Sequence, residues 1–167
     1  LHEFSVDALC EGLEMQASLA KDQPAGRALV LYDGLCGFCD FTVHWVMKRD
    51  AQDRFRFAPQ QSALAAAVLA RFGVDREAML DTNSVYLVLN YDGEPSAQRL
   101  LSRSDAPIGV LLTLGGFWGI LGRLLRIVPK PFRDAAYSLA ARNRYRIAKR
   151  YESCPIPSPG ERAKFVA

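Results

Sequence analysis

The chain is organised around one stretch, Ala28-Leu29-Val30-Leu31-Tyr32-Asp33-Gly34-Leu35-Cys36-Gly37-Phe38-Cys39. The first five residues form a short apolar run of strand length and composition. The run from Phe41 to Lys48 is amphipathic and reads as a helix, so a helix over about 36–49 follows the strand. Two cysteines three apart, where a strand gives way to a helix, have the spacing of a reversible dithiol. Their placement matters as much as their spacing. Unpaired backbone N–H groups and the helix dipole favour a thiolate at a helix N-terminus.

Outward from this stretch the elements alternate. Arg54-Phe55-Arg56-Phe57-Ala58 has period two, as a strand requires. Gln60 to Phe72 is Ala-rich and helical, with Gly73 closing it. Ser84 to Leu89 is the strongest strand signal. Asn90-Tyr91-Asp92-Gly93 then reads as a turn, and Glu94 to Gln98 as a short returning strand. The first two strands, joined by a helix, are expected to be parallel and the last two antiparallel. This predicts an α/β fold with a mixed sheet in βαβαββα order, the order of a thioredoxin-like domain, with additional C-terminal helices. Residues 1–27 read as an N-terminal extension with some helical periodicity from Val6 to Leu19, and residues 28–167 as the domain.

In the C-terminal part, Ser104-Asp105-Ala106-Pro107 reads as a helix start with a capping hydroxyl and a first-turn proline. Ile108–Leu114 and Phe117–Val128 are strongly apolar. The uncharged run from Pro107 to Leu121 is shorter than the ~20 residues of a membrane span, and Gly115-Gly116 interrupts it. Two buried helices are therefore expected, with a membrane-surface contact as the minor reading. Val128-Pro129-Lys130-Pro131 reads as a linker. A long basic helix from Phe132 to Tyr151 follows, with Phe132, Ala136, Leu139, Ala140 and Ile147 as its apolar stripe and Arg142, Arg146, Lys149 and Arg150 facing outward.

The chain's 167 residues suffice for one domain with a core, and 50% hydrophobic with 23% charged residues is ordinary for a globular protein. The net charge of +3 hides an asymmetry: residues 121–167 carry a net +8 and residues 1–120 a net −5. A basic C-terminal third can meet nucleic acid, anionic lipid or an acidic partner, although a solvated helix face is the commoner meaning of such a run. The sequence begins at Leu1 rather than Met, so the natural start can lie upstream. Leu1–Arg27 has no apolar core of a secretory signal, and four cysteines are too few for a disulfide scaffold. A CxxC in that setting points to a reducing, cytoplasmic compartment and redox use.

Thiol–disulfide exchange fixes the roles to be expected. Cys36, at the helix start, is the attacking sulfur. Cys39, one turn further in and less exposed, is the resolving thiol. Gly37 permits close approach, and Phe38 offers an apolar contact. A carboxylate at Asp33 works against a thiolate on Cys36 by charge repulsion. Its catalytic task is better placed at Cys39, as proton acceptor when a mixed disulfide resolves. The alternative is that Asp33 caps the turn through a bond to a backbone N–H, and the two roles are compatible. Haem attachment needs His directly after the second cysteine, where Asp40 stands. A structural zinc needs two further ligands, and Cys10, Cys154, His2 and His44 do not form a second pair. His44 lies about two turns beyond Cys36 and reads as an ordinary helix residue. Cys10 and Cys154 read as structural or incidental. A buried, inert Cys36–Cys39 pair is the plain alternative to the dithiol.

The chain resembles the DCC family of predicted thiol-disulfide oxidoreductases, named for an Asp-x-x-Cys-x-x-Cys motif, here Asp33, Cys36 and Cys39. Four further segments carry the resemblance: Ser104-Asp105-Ala106, Val128-Pro129-Lys130-Pro131-Phe132-Arg133-Asp134-Ala135-Ala136-Tyr137, Ala141-Arg142-Asn143-Arg144-Tyr145-Arg146, and the tail from Cys154 to Phe165. It covers about residues 28–166. It implies a thioredoxin-like fold and a dithiol–disulfide activity, without naming a substrate. Thioredoxins place a cis-proline before the third strand, whereas Asp81-Thr82-Asn83-Ser84 holds no proline here, so the usual docking of a protein substrate on that loop is not to be expected from the resemblance. Arg133 and Asp134 suggest a structural pair. Arg142, Arg144 and Arg146 point different ways on a helix, so at least one is expected to pack back onto the domain.

The sequence thus favours a thiol-disulfide oxidoreductase that uses Cys36, Cys39 and Asp33, with no metal or organic cofactor. Its partners would be a protein or small-thiol substrate and a recycling reductant. The rival is a non-catalytic binding module whose basic helix docks an acidic partner, nucleic acid or a membrane surface.

Overall fold

In the computed structural model, which describes residues 26–75, 84–148, 150–152 and 157–166, the apolar run becomes the inner strand β1 (Ala28–Tyr32). All five of its residues are buried, because the sheet is covered on both faces. The expected helix around Val6–Leu19, Cys10, Asp81–Asn83, Lys149 and Cys154 lie outside the described residues. The other strands are β2 (Phe55–Pro59), β3 (Tyr86–Leu89) and β4 (Arg99–Ser102). The helices are α1 (Gly37–Met47), α2 (Ala63–Arg71), α3 (Asp105–Leu114), α4 (Gly116–Ile127) and α5 (Lys130–Ile147).

The sheet order is β2-β1-β3-β4. β1 runs parallel to β2, with Ala28 opposite Phe55 and Tyr32 opposite Pro59. β3 is antiparallel to both β1 and β4. The mixed α/β sheet is therefore the one the element order implies, and it is consistent with a thioredoxin-like fold. Alternation along β1 divides the core. Ala28, Val30 and Tyr32 join Phe55, Phe57 and Leu87 beneath α1 and α3. Leu29 and Leu31 join Ala58 and Val88 beneath Ala65, Val68 and Leu69 of α2.

Several local expectations change. The helix expected from Gln60 begins at Ala63, because Ser62 Oγ accepts the Ala65 N–H at 3.1 Å and caps it there. Gln60 is freed to donate from Nε2 to the carbonyls of Leu31 and Ser84 at 3.2 and 2.5 Å. The returning strand is Arg99–Ser102 rather than Glu94–Gln98. Pro95 starts a short 3₁₀ turn over Pro95–Ala97, and Gln98 Nε2 closes the loop onto the Tyr91 carbonyl at 2.9 Å. Ser104 does not cap α3; its backbone is already helical, and its hydroxyl donates to Asp134 instead.

α3 and α4 are separate helices, broken at Gly115, whose φ of +72° favours glycine. α3 lies close on the sheet at Gly109, where a Cβ would come within 2.7 Å of Leu87 and Leu101. The expectation that both helices are buried holds for α3 and fails for α4. α4 packs on α3 through Gly119 and Gly122, and it leaves Phe117, Ile120, Leu124 and Ile127 outward, 55–77% exposed. The basic helix spans Lys130–Ile147 instead of Phe132–Tyr151, and the expected apolar stripe is not its inner face. Phe132 and Leu139 are 70% and 65% exposed. Tyr137 and Arg144 turn inward instead, because each has a polar partner on the domain. Tyr137 Oη accepts the Val85 N–H at 2.9 Å, and Arg144 reaches Asp33. Arg142 and Arg146 are exposed, as expected.

Candidate dithiol site

The site is assembled where β1 ends and α1 begins. Cys36 takes an extended backbone (φ −101°, ψ 112°) and is the N-cap of α1, where its Sγ accepts the Cys39 N–H at 3.4 Å. That places one sulfur at the positive end of the helix and the other in its first turn. Both thiols are free. The exposure order differs from the expectation: Cys36 is fully buried, and Cys39 is half-buried. The cause lies beyond α5. The chain turns back after Ala148, Arg150 pairs as an antiparallel bridge with Cys36, and the Tyr151 N–H donates to the Leu35 carbonyl at 2.8 Å. This return segment covers the first cysteine.

Asp33 is 2% exposed and accepts four hydrogen bonds. Its Oδ1 takes the Leu35 N–H at 3.1 Å and Gln61 Nε2 at 2.9 Å. Its Oδ2 takes the Tyr145 hydroxyl at 2.6 Å and Arg144 Nη2 at 3.3 Å. The bond to Leu35 is the turn cap foreseen for Asp33. The Arg144 pair is buried on both sides, with side chains 6% and 1% exposed. Leaving either charge alone inside the protein would be costly, so each fixes the other. Arg144 is thus the arginine of the three that packs back onto the domain, and its guanidinium also lies over the Tyr145 ring at 4.7 Å.

Burial holds the Cys39 thiol well above the ordinary cysteine range. The hydrogen bond to Cys36 and the charge of that group push the same way, while the Arg144 charge opposes them. Cys39 is therefore a neutral thiol at physiological pH, which suits a resolving sulfur better than an attacking one.

The remaining motif segments act as fasteners. Asp105 at the start of α3 takes Lys130 Nζ at 2.7 Å and Arg133 Nη1 at 2.9 Å from the start of α5. Ser104 donates to Asp134. Arg133 and Asp134 thus pair with α3 and its lead-in rather than with each other. His44 sits on α1 with Nδ1 2.9 Å from the Asp40 carbonyl and Nε2 3.4 Å from Glu161. Gln61, Tyr137, Arg144 and Tyr145 are site residues that the motif spacing did not single out. The readable signal for Arg144 was the need for a cation opposite a carboxylate at the buried end of an inner strand.

The family model for DCC1-like thiol-disulfide oxidoreductases matches residues 30–150, which includes the dithiol, Asp33 and Arg144. The chain belongs to this family. It is 31% identical over 148 residues to an uncharacterised protein, YuxK, of Bacillus subtilis (strain 168), covering 89% of this chain and 99% of the relative. A DCC family protein of Arabidopsis thaliana, named as chloroplastic, is 30% identical over 130 residues, covering 78% of this chain and 70% of the relative. No solved structure matches. Among the described residues, no helix is long and apolar enough to cross a membrane.

Proposed function

We propose that this DCC-family chain is a thiol-disulfide oxidoreductase that cycles Cys36 and Cys39 between dithiol and disulfide in a reducing, cytoplasmic-type compartment. The observation that carries this reading is Cys36 Sγ at the N-cap of α1, accepting the N–H of Cys39 one turn on. Once the Arg150–Tyr151 segment that covers it parts from Leu35, Cys36 attacks a substrate disulfide as the thiolate, forming a mixed disulfide and expelling one substrate sulfur. Cys39 then gives up its proton and attacks Cys36. This closes Cys36–Cys39 and releases the second substrate sulfur, which takes a proton as a thiol. The substrate is reduced by two electrons, and the protein is oxidised by two. Asp33 holds the turn, and with Arg144 it sets the field in which Cys39 is deprotonated. A separate reductant of the thiol class restores the dithiol.

The order of attack is testable by trapping. Reduced Cys39→Ser is expected to accumulate a stable mixed disulfide on Cys36 with oxidised glutathione, seen by intact mass. Cys36→Ser is expected to trap much less. Equal trapping by both variants would remove the assigned order, and trapping by neither would remove the reading.

A second reading is favoured by the exposed apolar row on α4 and the exposed Arg142 and Arg146 on α5. In it the C-terminal helices dock an acidic partner, nucleic acid or a membrane surface. Salt-dependent binding to anionic vesicles or nucleic acid, lost in Arg142→Ala/Arg146→Ala, would support it; no binding at low ionic strength would end it.

A further inference from the structure

One face of α4 is left to solvent. At about 100° per residue, Phe117, Ile120, Leu124 and Ile127 fall within an arc of about 80°, and all four are exposed. The helix packs on α3 by its opposite side, through Gly119 and Gly122. Charge borders the same row. Arg123 lies about 40° beyond Ile127 around the helix, and Arg126 is exposed near its C-terminal end. From 115 to 148 the only acid is Asp134, which is taken up by Ser104 and Lys130. Arg126, Arg142 and Arg146 are exposed and meet no carboxylate among the described residues.

The chemistry of this face selects its partner. No hydrogen-bonding side chain stands within the row, whereas a protein interface carries about one hydrogen bond per 100–200 Å². A second copy of the chain would set Arg126 and its neighbours against themselves, because a twofold contact is self-complementary. Nucleic acid would satisfy the arginines but would leave Phe and Ile side chains against a charged backbone. An anionic lipid surface answers both features. Acyl chains take the apolar row without hydrogen bonds, and headgroup phosphates take the arginines. Length agrees: the 12 residues of α4 extend about 18 Å, too short to span a bilayer and long enough to lie in its surface.

We propose that α4 is an in-plane helix that docks the protein on an anionic lipid surface, its apolar row at the acyl boundary and Arg123 and Arg126 at the phosphates. The inference rests on the docking reading of the C-terminal helices, commits it to one partner and is compatible with the dithiol reading. The docked helix is tied to the helix of the dithiol. Trp118 of α4 meets Trp45 of α1 edge-on, with ring centroids 4.7 Å apart, and the Arg49 guanidinium lies over both rings at 5.3 and 4.0 Å. Docking through α4 therefore carries α1 and its cysteines to the lipid surface.

The test uses the full chain and co-sedimentation with vesicles of phosphatidylcholine, alone or in an about 7:3 mixture with phosphatidylglycerol, at low and high salt. Binding to the anionic vesicles at least tenfold tighter than to phosphatidylcholine alone, and weakened by salt, is expected. Leu124→Glu puts a carboxylate into the exposed row and should weaken binding at least tenfold. Ala66→Glu adds the same charge at an exposed position of α2, across the sheet, and should keep binding within about twofold. Leu124→Ser, which adds no charge, should weaken binding at least threefold and serves if the glutamate variant fails to fold. No binding to anionic vesicles at low salt, equal binding to phosphatidylcholine alone, or unchanged binding in the Leu124 variants would each overturn the proposal. Salt-dependent binding of poly-glutamate or RNA without vesicle binding would leave the docking reading standing and remove the lipid partner, whereas binding of none of the three would remove both. A dimer that Leu124→Glu dissolves, without vesicle binding, would give the face to a second copy and overturn the proposal.

Discussion

The two faces of the sheet are made from the same strands and differ in how they are closed. On one, Leu29, Leu31 and Val88 pack against Ala65, Val68 and Leu69 of α2, all at 2% exposure or less. On the other, α1, α3 and α5 meet Val30, Phe57 and Leu87 around the open volume beside Cys39, and Arg144, paired with the buried Asp33, sits at its edge. A domain that needs only stability would fill both faces to similar density. The difference teaches that the face under α2 is closed by packing, while the opposite face leaves open volume beside Cys39.

The comparison is strained most by the polar edge of the open face. Arg144→Leu leaves Asp33 as a buried carboxylate without its cation, and a loss of about 3–5 kcal/mol is expected in urea unfolding. A loss below about 1 kcal/mol would show that the pair is not what closes that edge. The next effect compares one substitution on both faces. Val68→Ala, on the closed face at 2% exposure, should cost about 2–3 kcal/mol from lost burial plus the cavity it leaves. Val110→Ala, in the wall of the existing cavity, should cost about 1 kcal/mol. Equal costs would erase the contrast between the faces.

A third effect comes from pH. The folded state holds Cys39 above the ordinary thiol value of 9.0, so its contribution to stability is fully present below about pH 9 and is lost as pH rises further. Stability should decline above pH 9 with a slope from this group of at most about 1.4 kcal/mol per pH unit, and Cys39→Ala should flatten that decline. An unchanged slope in Cys39→Ala would place the thiol in a wetter site than the fold shows. The smallest effect concerns the cover on Cys36. Tyr151→Pro removes the N–H that binds the Leu35 carbonyl. A bond of about 0.5–1.5 kcal/mol implies Cys36 alkylation about two- to tenfold faster. No acceleration would mean that the return segment does not limit access.

Much of the frame was legible in the chain. The apolar run at 28–32, the period-two run at 54–58 and the capped Ala-rich helix are local signals, and each became an element within a few residues of its expected bounds. The CxxC at a helix start was legible for the same reason. What escaped was set by distant partners. The long hairpin loop depends on Gln98 and Asn90 side chains bonding across it, which no period reveals. The inner face of α5 follows Tyr137 and Arg144, each held by a polar group more than fifty residues away, so an apolar stripe was the wrong guide. The burial of Cys36 depends on the chain returning at Arg150 and Tyr151, a contact that no motif near the cysteine announces.

The central claim is that Cys36 and Cys39 form a reversible couple. Its most direct test equilibrates the full chain with glutathione buffers of graded poise and maps disulfides by mass spectrometry. The account predicts a Cys36–Cys39 disulfide that forms and reverses as a two-electron couple, with about 30 mV per tenfold change in ratio. Two unpaired thiols at every poise would contradict it.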